Sequence, residues 1–135
     1  MQNINIVLLV KDALVHLGCD PNVVGNIDDH STISFDFDQN NSIYLSAEAH
    51  HVWLWSRIAE FNEQVVAMRG GDMLSHLMEP HVFLQTGHPA LIVGEGYFEY
   101  KGLVHEDYLN DAPSFAAALQ GFFDSMRTMT EIVLR

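Results

Sequence analysis

Apolar residues at Ile6, Leu9, Val10, Ala13, Leu14 and Leu17 return at the three- and four-residue steps of a helix, and Gly18 follows as a stop. Ile4, Leu8 and Val15 form a second apolar strip on the other side, interrupted by Lys11. A helix that covers a core needs one such face. One with two faces lies between layers or offers the second to a partner. The period then changes. In "STISFDFD", Ile33, Phe35 and Phe37 alternate with Ser34, Asp36 and Asp38, as in a half-buried strand. After the turn residues "DQNN" come two more strands, "SIYLS" and "HHVWLWSRI". On the last, Trp53 and Trp55 share one side and Val52 and Leu54 the other, so both sides are apolar.

Helical spacing resumes from Asn62, a natural cap, to Met78, with Gly70 and Gly71 inside the segment. Each costs up to about 1 kcal/mol relative to alanine there, which suggests a kink or a close backbone approach. "HVFLQT", "ALIVG" and "YFEYKGLVH" read as further strands, the last two joined by a Gly94-Glu95-Gly96 turn. Pro113 and Ser114 open a long final helix whose stripe is Phe115, Leu119, Phe122, Met126, Met129 and Val133. The order is helix, three strands, helix, strands, helix. This predicts an α+β fold, a small domain with a twisted, mostly antiparallel sheet and three helices. Residues 1–135 make one domain, large enough to bury roughly two-thirds of its unfolded surface.

Charge narrows the partners. Eighteen acidic residues against six basic ones give a net charge of -12. Nucleic acid and anionic membranes need clustered Lys and Arg, so neither fits. Like-charged molecules repel, which lets a protein keep apolar surface without aggregating. A single cysteine excludes an internal disulfide and fits a reducing cytoplasm. No segment approaches the ~20 apolar residues of a membrane span, and the N-terminus lacks the basic start of a signal peptide.

The stretch "GCDPNVVGNIDDHSTI" concentrates potential chemistry in one place. Asp28, Asp29, His30 and Ser31 are chain neighbours, however, and triads assemble from distant segments. Turn and capping roles account for each piece. Cys19 follows a helix end with acids nearby, a setting that disfavours a thiolate and suits a small buried apolar residue. The eight histidines are scattered, without H-E-x-x-H or an i, i+4 pair, so no metal ligand set is assigned. "GEGY" and "RGGD" lack the Lys-Ser/Thr of a phosphate loop. Glu106 and Asp107 read as a solvated loop. No catalytic residue, cofactor or metal emerges, and no enzyme activity is expected. What remains unusual is apolar surface on a helix and a strand that each also face a core, which marks an interaction site.

"GCDPNVVGNIDDHSTI", "SIYLS", "VWLW", "LVHEDYLND" and "FAAALQGFF" resemble, in order and over essentially the whole chain, the InvB/SpaK group of class IB type III secretion chaperones. The resemblance implies a homodimer of the bacterial cytoplasm. It would bind the non-globular N-terminal segments of several secreted effectors in extended form, without cofactor, metal, nucleic acid or membrane insertion. "MRGGDML" departs from the pattern by placing two glycines where the group carries better helix formers. On this basis Ile4, Leu8, Val15, Phe35, Phe37, Trp53 and Trp55 are expected to bind effector. Met73, Leu74, Leu77, Val82 and Leu84 are expected at the dimer contact. The alternatives are an interaction module for a folded partner, or a small enzyme or metal-binding protein built on the histidines and acids.

Overall fold

A computed structural model describes residues 6–20, 24–27, 32–35, 42–48 and 51–135. The elements are α1 (Ile6–His16), β1 (Val24–Ile27), β2 (Thr32–Phe35), β3 (Ile43–Glu48), β4 (His51–Glu60), α2 (Glu63–Leu77), β5 (Ala90–Gly94), β6 (Tyr97–Leu103), a short 3-10 helix (Glu106–Leu109) and α3 (Ala112–Leu134). The strands form one antiparallel sheet in the order β1-β2-β3-β4-β6-β5. Because β6 returns beside β4, β5 is left at an edge.

The helix boundaries follow local chemistry. Gly18 takes φ +77° and lets the Cys19 N–H reach back to the Leu14 carbonyl at 2.9 Å, closing α1. The Asn62 side chain accepts the Gln64 N–H at 2.8 Å and opens α2. Asp111 does the same for α3 by accepting the Ser114 N–H at 2.8 Å, which holds its carboxyl below the usual range. The β5–β6 hairpin turns on Glu95 and Gly96, both at positive φ, as a tight two-residue turn of matching twist requires.

The core lies between one face of the sheet and the helices. Ile33, Phe35, Ile43, Leu45, Leu54 and Tyr100 meet the buried faces of α1 and α3, and every member of the α3 stripe is buried.

Two readings need correction. Four strands, not three, precede α2, because Val24–Ile27 pairs with β2. Its glycine and asparagine read as turn formers; pairing with a neighbouring strand overrides that local preference. "HVFLQT" is not a strand. It folds as a tight loop with a lone bridge from Leu84 to Val104, and the His81 N–H donates to the Gly87 carbonyl at 2.7 Å. Pro80 and Pro89 flank it and remove two donors that a ladder would use. The glycines of α2 serve no close approach: a Cβ at Gly70 or Gly71 would meet nothing within 4 Å. Close approach occurs instead at Gly102 and Gly121, where a Cβ would lie 2.6 Å from Leu84 and 2.4 Å from Phe83. These contacts draw the loop's apolar residues into the core.

Candidate functional site: an aromatic sheet face and an apolar groove

The sheet alternates strictly about β4. Val52, Leu54, Ser56 and Ile58 point inward and are buried; Trp53, Trp55 and Arg57 point outward and stay half-buried. Strand register builds the outer face from there. Tyr44 is paired with Trp55, Ser46 and Leu103 flank Trp53, and Lys101 lies opposite Trp55. Tyr44 and Trp55 stack with centroids 4.5 Å apart, and the Trp55 indole N–H donates to Ser46 Oγ at 3.0 Å. Arg57 donates to Glu99 at 3.2 Å and Glu95 at 2.9 Å, with its guanidinium 5.8 Å from the centroids of Trp55 and Tyr97. The result is a pre-ordered platform of large rings held at fixed orientation, suited to contact by apolar side chains.

A second apolar surface lies where α2 meets the sheet edge. Val66, Leu74, Leu77, Leu91, Val93 and Phe98 help to line a groove of about 250 Å3. Val66, Leu74 and Val93 are exposed, as are Met68 on α2 and Met78 just past its end. A third is the outer side of α1, where Leu8 and Val15 are 55% and 60% exposed.

The expected site residues therefore divide. Leu8, Val15, Trp53 and Trp55 lie at the surface or partly so. Phe35 does not: it is 0% exposed and faces Ile43 on the inner side, opposite to the tryptophans. It leaves the candidate binding surface. Ile4 and Phe37 fall outside the described residues. Of the expected dimer residues, Leu74 and Val82 are exposed and Leu77 is half-buried. Met73 and Leu84 are buried within the subunit, Met73 in the core and Leu84 over Gly102. Cys19 is half-buried rather than buried, on the rim of an apolar pocket between α1 and α3. The residues missed by sequence reasoning are Tyr44, Arg57 and Lys101 on the outer face, and Val66 and Val93 in the groove. Tyr44 was within reach, since it is out of phase with Ile43 and Leu45; the others depend on register across strands.

One polar cluster resembles catalytic machinery. Ser125 Oγ lies 3.2 Å from His76 Nε2, and His76 Nδ1 lies 3.6 Å from Glu79. His76 Nε2 is also 2.9 Å from the Ser125 carbonyl, which only accepts, so Nε2 carries a hydrogen and is not free to take one from the serine. Ser125 Oγ and Tyr100 Oη are 2.5 Å apart, and both His76 and Ser125 are buried. Burial pushes the Tyr100 hydroxyl up to about 12, against the lowering effect of the Ser125 hydrogen bond. This is a satisfied core network that ties α2 and β6 to α3. Among the described residues no group of three or more His, Cys, Asp or Glu side chains is placed to hold a metal ion.

The profile of the Invasion protein B family matches residues 18–95. The surface presentation of antigens protein SpaK of Salmonella typhimurium is 36% identical over the full length of both chains, and SpaK of Salmonella typhi matches equally. The chain belongs to the Invasion protein B family. The family segment runs from Gly18 through the β5–β6 turn, and so contains β4 with both tryptophans. The fold is that of type III secretion chaperones. SchA in the HopA1–SchA chaperone–effector complex superposes with a TM-score of 0.64 at 20% identity, over 92% of this chain and 91% of the other. The Yersinia pestis type III secretion chaperone SycH, in complex with a fragment of YscM2, gives 0.62 at 12% identity, over 91% and 98%. Among the described residues no helix is long and apolar enough to cross a membrane.

Proposed function

We propose that this protein is a type III secretion chaperone of the bacterial cytoplasm. It works as a homodimer, binds the extended N-terminal segments of several secreted effectors, and needs no cofactor or catalysis. The observation that carries the proposal is the ordered, half-exposed aromatic face of the sheet in a chain 36% identical to SpaK along its whole length. The structural neighbours bound to HopA1 and YscM2 support the same role.

The physics suits that role. A disordered client loses backbone freedom on binding, so affinity per unit of area is low. Wrapping a long segment compensates, at roughly 25 cal/mol per Å2 of apolar area before ordering costs. The platform of Tyr44, Trp53 and Trp55 and the strip of Leu8 and Val15 provide such area. The groove along α2, lined in part by Leu74 and Leu77, is the natural dimer contact, and the exposed Val82 of the following loop is a further member. The charge of -12 keeps dimers with open client surfaces apart.

The test is co-expression with secreted proteins encoded nearby, followed by limited proteolysis. A protected N-terminal client segment that is unfolded when free, on a chaperone that light scattering shows to be dimeric, is the expected result. Capture of folded partners alone would replace the proposal with an interaction module.

A further inference from the structure

Among the described residues, the outer face carries an ammonium that has an aromatic ring but no carboxylate for a partner. Lys101 stands on β6 with Trp55 opposite on β4 and the small Ala90 opposite on β5. Its Nζ lies 5.0 Å from the centre of the Trp53 ring. The carboxylate next to it on the same face, Glu99, is drawn away to Arg57 at 3.2 Å and is only 14% exposed. Glu95, the other acid of this quarter, also goes to Arg57. Arg57 thus takes two carboxylates, and among the described residues none pairs with Lys101. In a chain with eighteen acidic residues and six basic ones, an ammonium placed in the middle of an aromatic platform is out of keeping with the whole.

We propose that Lys101 reads an acidic side chain, Asp or Glu, flanked by apolar residues in the extended client. The inference rests on the chaperone function proposed above and adds a selection rule to it. Side chains on one side of an extended chain repeat about every 6.8 Å. Trp53 and Trp55 both lie on β4 to one side of Lys101, so a client with a carboxylate over Lys101 that crosses toward β4 sets apolar neighbours of that carboxylate on their rings. The rings lower the local dielectric, so the pair is worth more there than on an open surface. Lys101 is half-buried, and its neighbour on the β5 side, Ala90, is small and exposed. Whole-molecule charge favours basic clients, whereas this position favours an acid. A segment with both features would be fixed in register as well as held.

The test starts from any effector segment captured by co-expression. Each Asp or Glu in its protected stretch is changed singly to Lys. Affinity is then measured by titration calorimetry against the wild-type protein, Lys101→Glu and Lys101→Met, after circular dichroism and light scattering establish that the variants keep their fold and assembly. One client position is expected to lose at least tenfold in affinity for wild type when made Lys, and to recover most of it with Lys101→Glu. Lys101→Met should weaken binding of the unmodified client and make the remaining binding less sensitive to salt. If Lys101→Glu binds the unmodified client as tightly as wild type does, or no client charge reversal is rescued, the selection rule is wrong while the chaperone function stands. If no effector segment is captured by the wild type, the chaperone function itself fails, and the rule with it.

Discussion

Strand β4 presents two faces built from one run of residues, and they differ in purpose. Inward, Val52, Leu54 and Ile58 are sealed against α1 and α3. Outward, Trp53 and Trp55 are just as apolar but keep part of their surface in water, braced by Tyr44, Ser46 and Arg57. A fold needs only the first face to be apolar. Large rings on the second add nothing that a polar row would not supply for folding, and their fixed orientation lowers the entropy lost when something binds them. The comparison separates residues whose loss breaks the protein from those whose loss breaks only its hold on a partner.

Truncation on the inner face should have the largest effect. Leu54→Ala removes a side chain with 0% exposure and should cost about 2–5 kcal/mol, seen as a lowered urea midpoint. Overpacking comes next. Gly121→Ala puts a methyl group 2.4 Å from Phe83, and because a ring yields poorly the loss should be about 1–3 kcal/mol. On the outer face the order of effects reverses. Trp53→Asp should cost under about 1.5 kcal/mol of stability, since the ring is half-exposed and its contact with Lys101 is worth roughly 0.5–1 kcal/mol. Yet it should weaken client binding tenfold or more, and Leu8→Asp should do likewise; unfolding of either variant would erase the distinction between the faces.

The smallest expected effect is on pH dependence. Burial, reinforced by the neighbouring His76, lowers the His81 imidazole below 6.5, while Glu79 opposes and His88 adds to the shift. Its ring also lies 3.4 Å from Ser125 Oγ, in the network with Tyr100. The unfolded chain therefore binds a proton at His81 more readily than the folded one does. Stability from this group is complete above about pH 6.5 and declines as pH falls through the window below it. His81→Gln should flatten the fall in melting temperature between neutral and mildly acidic pH.

Much of this was legible in the sequence, for reasons that differ by element. The α3 stripe and both β4 faces follow from period alone, because a single helix or strand shows its sides at fixed intervals. The Asn62 cap and the Gly18 stop are local as well. Phe35 was misplaced because alternation fixes which residues share a side but not which side faces the core. Only pairing with Ile43 and Leu45 decides that. Met73 and Leu84 were misplaced for a related reason: an apolar residue destined for a subunit interface and one destined for the core look alike until packing is known. The Arg57–Glu95–Glu99 group and the placement of Lys101 over Trp53 depend on strands far apart in the chain, beyond the reach of any local pattern.

Both tryptophans of the chain stand on the outer face, so fluorescence excited selectively at tryptophan reports on that face. Acrylamide quenching of the free protein and of its complex with a saturating effector segment lacking tryptophan is thus the most direct measurement. Ready quenching in the free protein, falling severalfold with a shift of emission to the blue in the complex, is the expected result. Equal quenching in both, with the client demonstrably bound, would mean that the passenger travels elsewhere on the molecule.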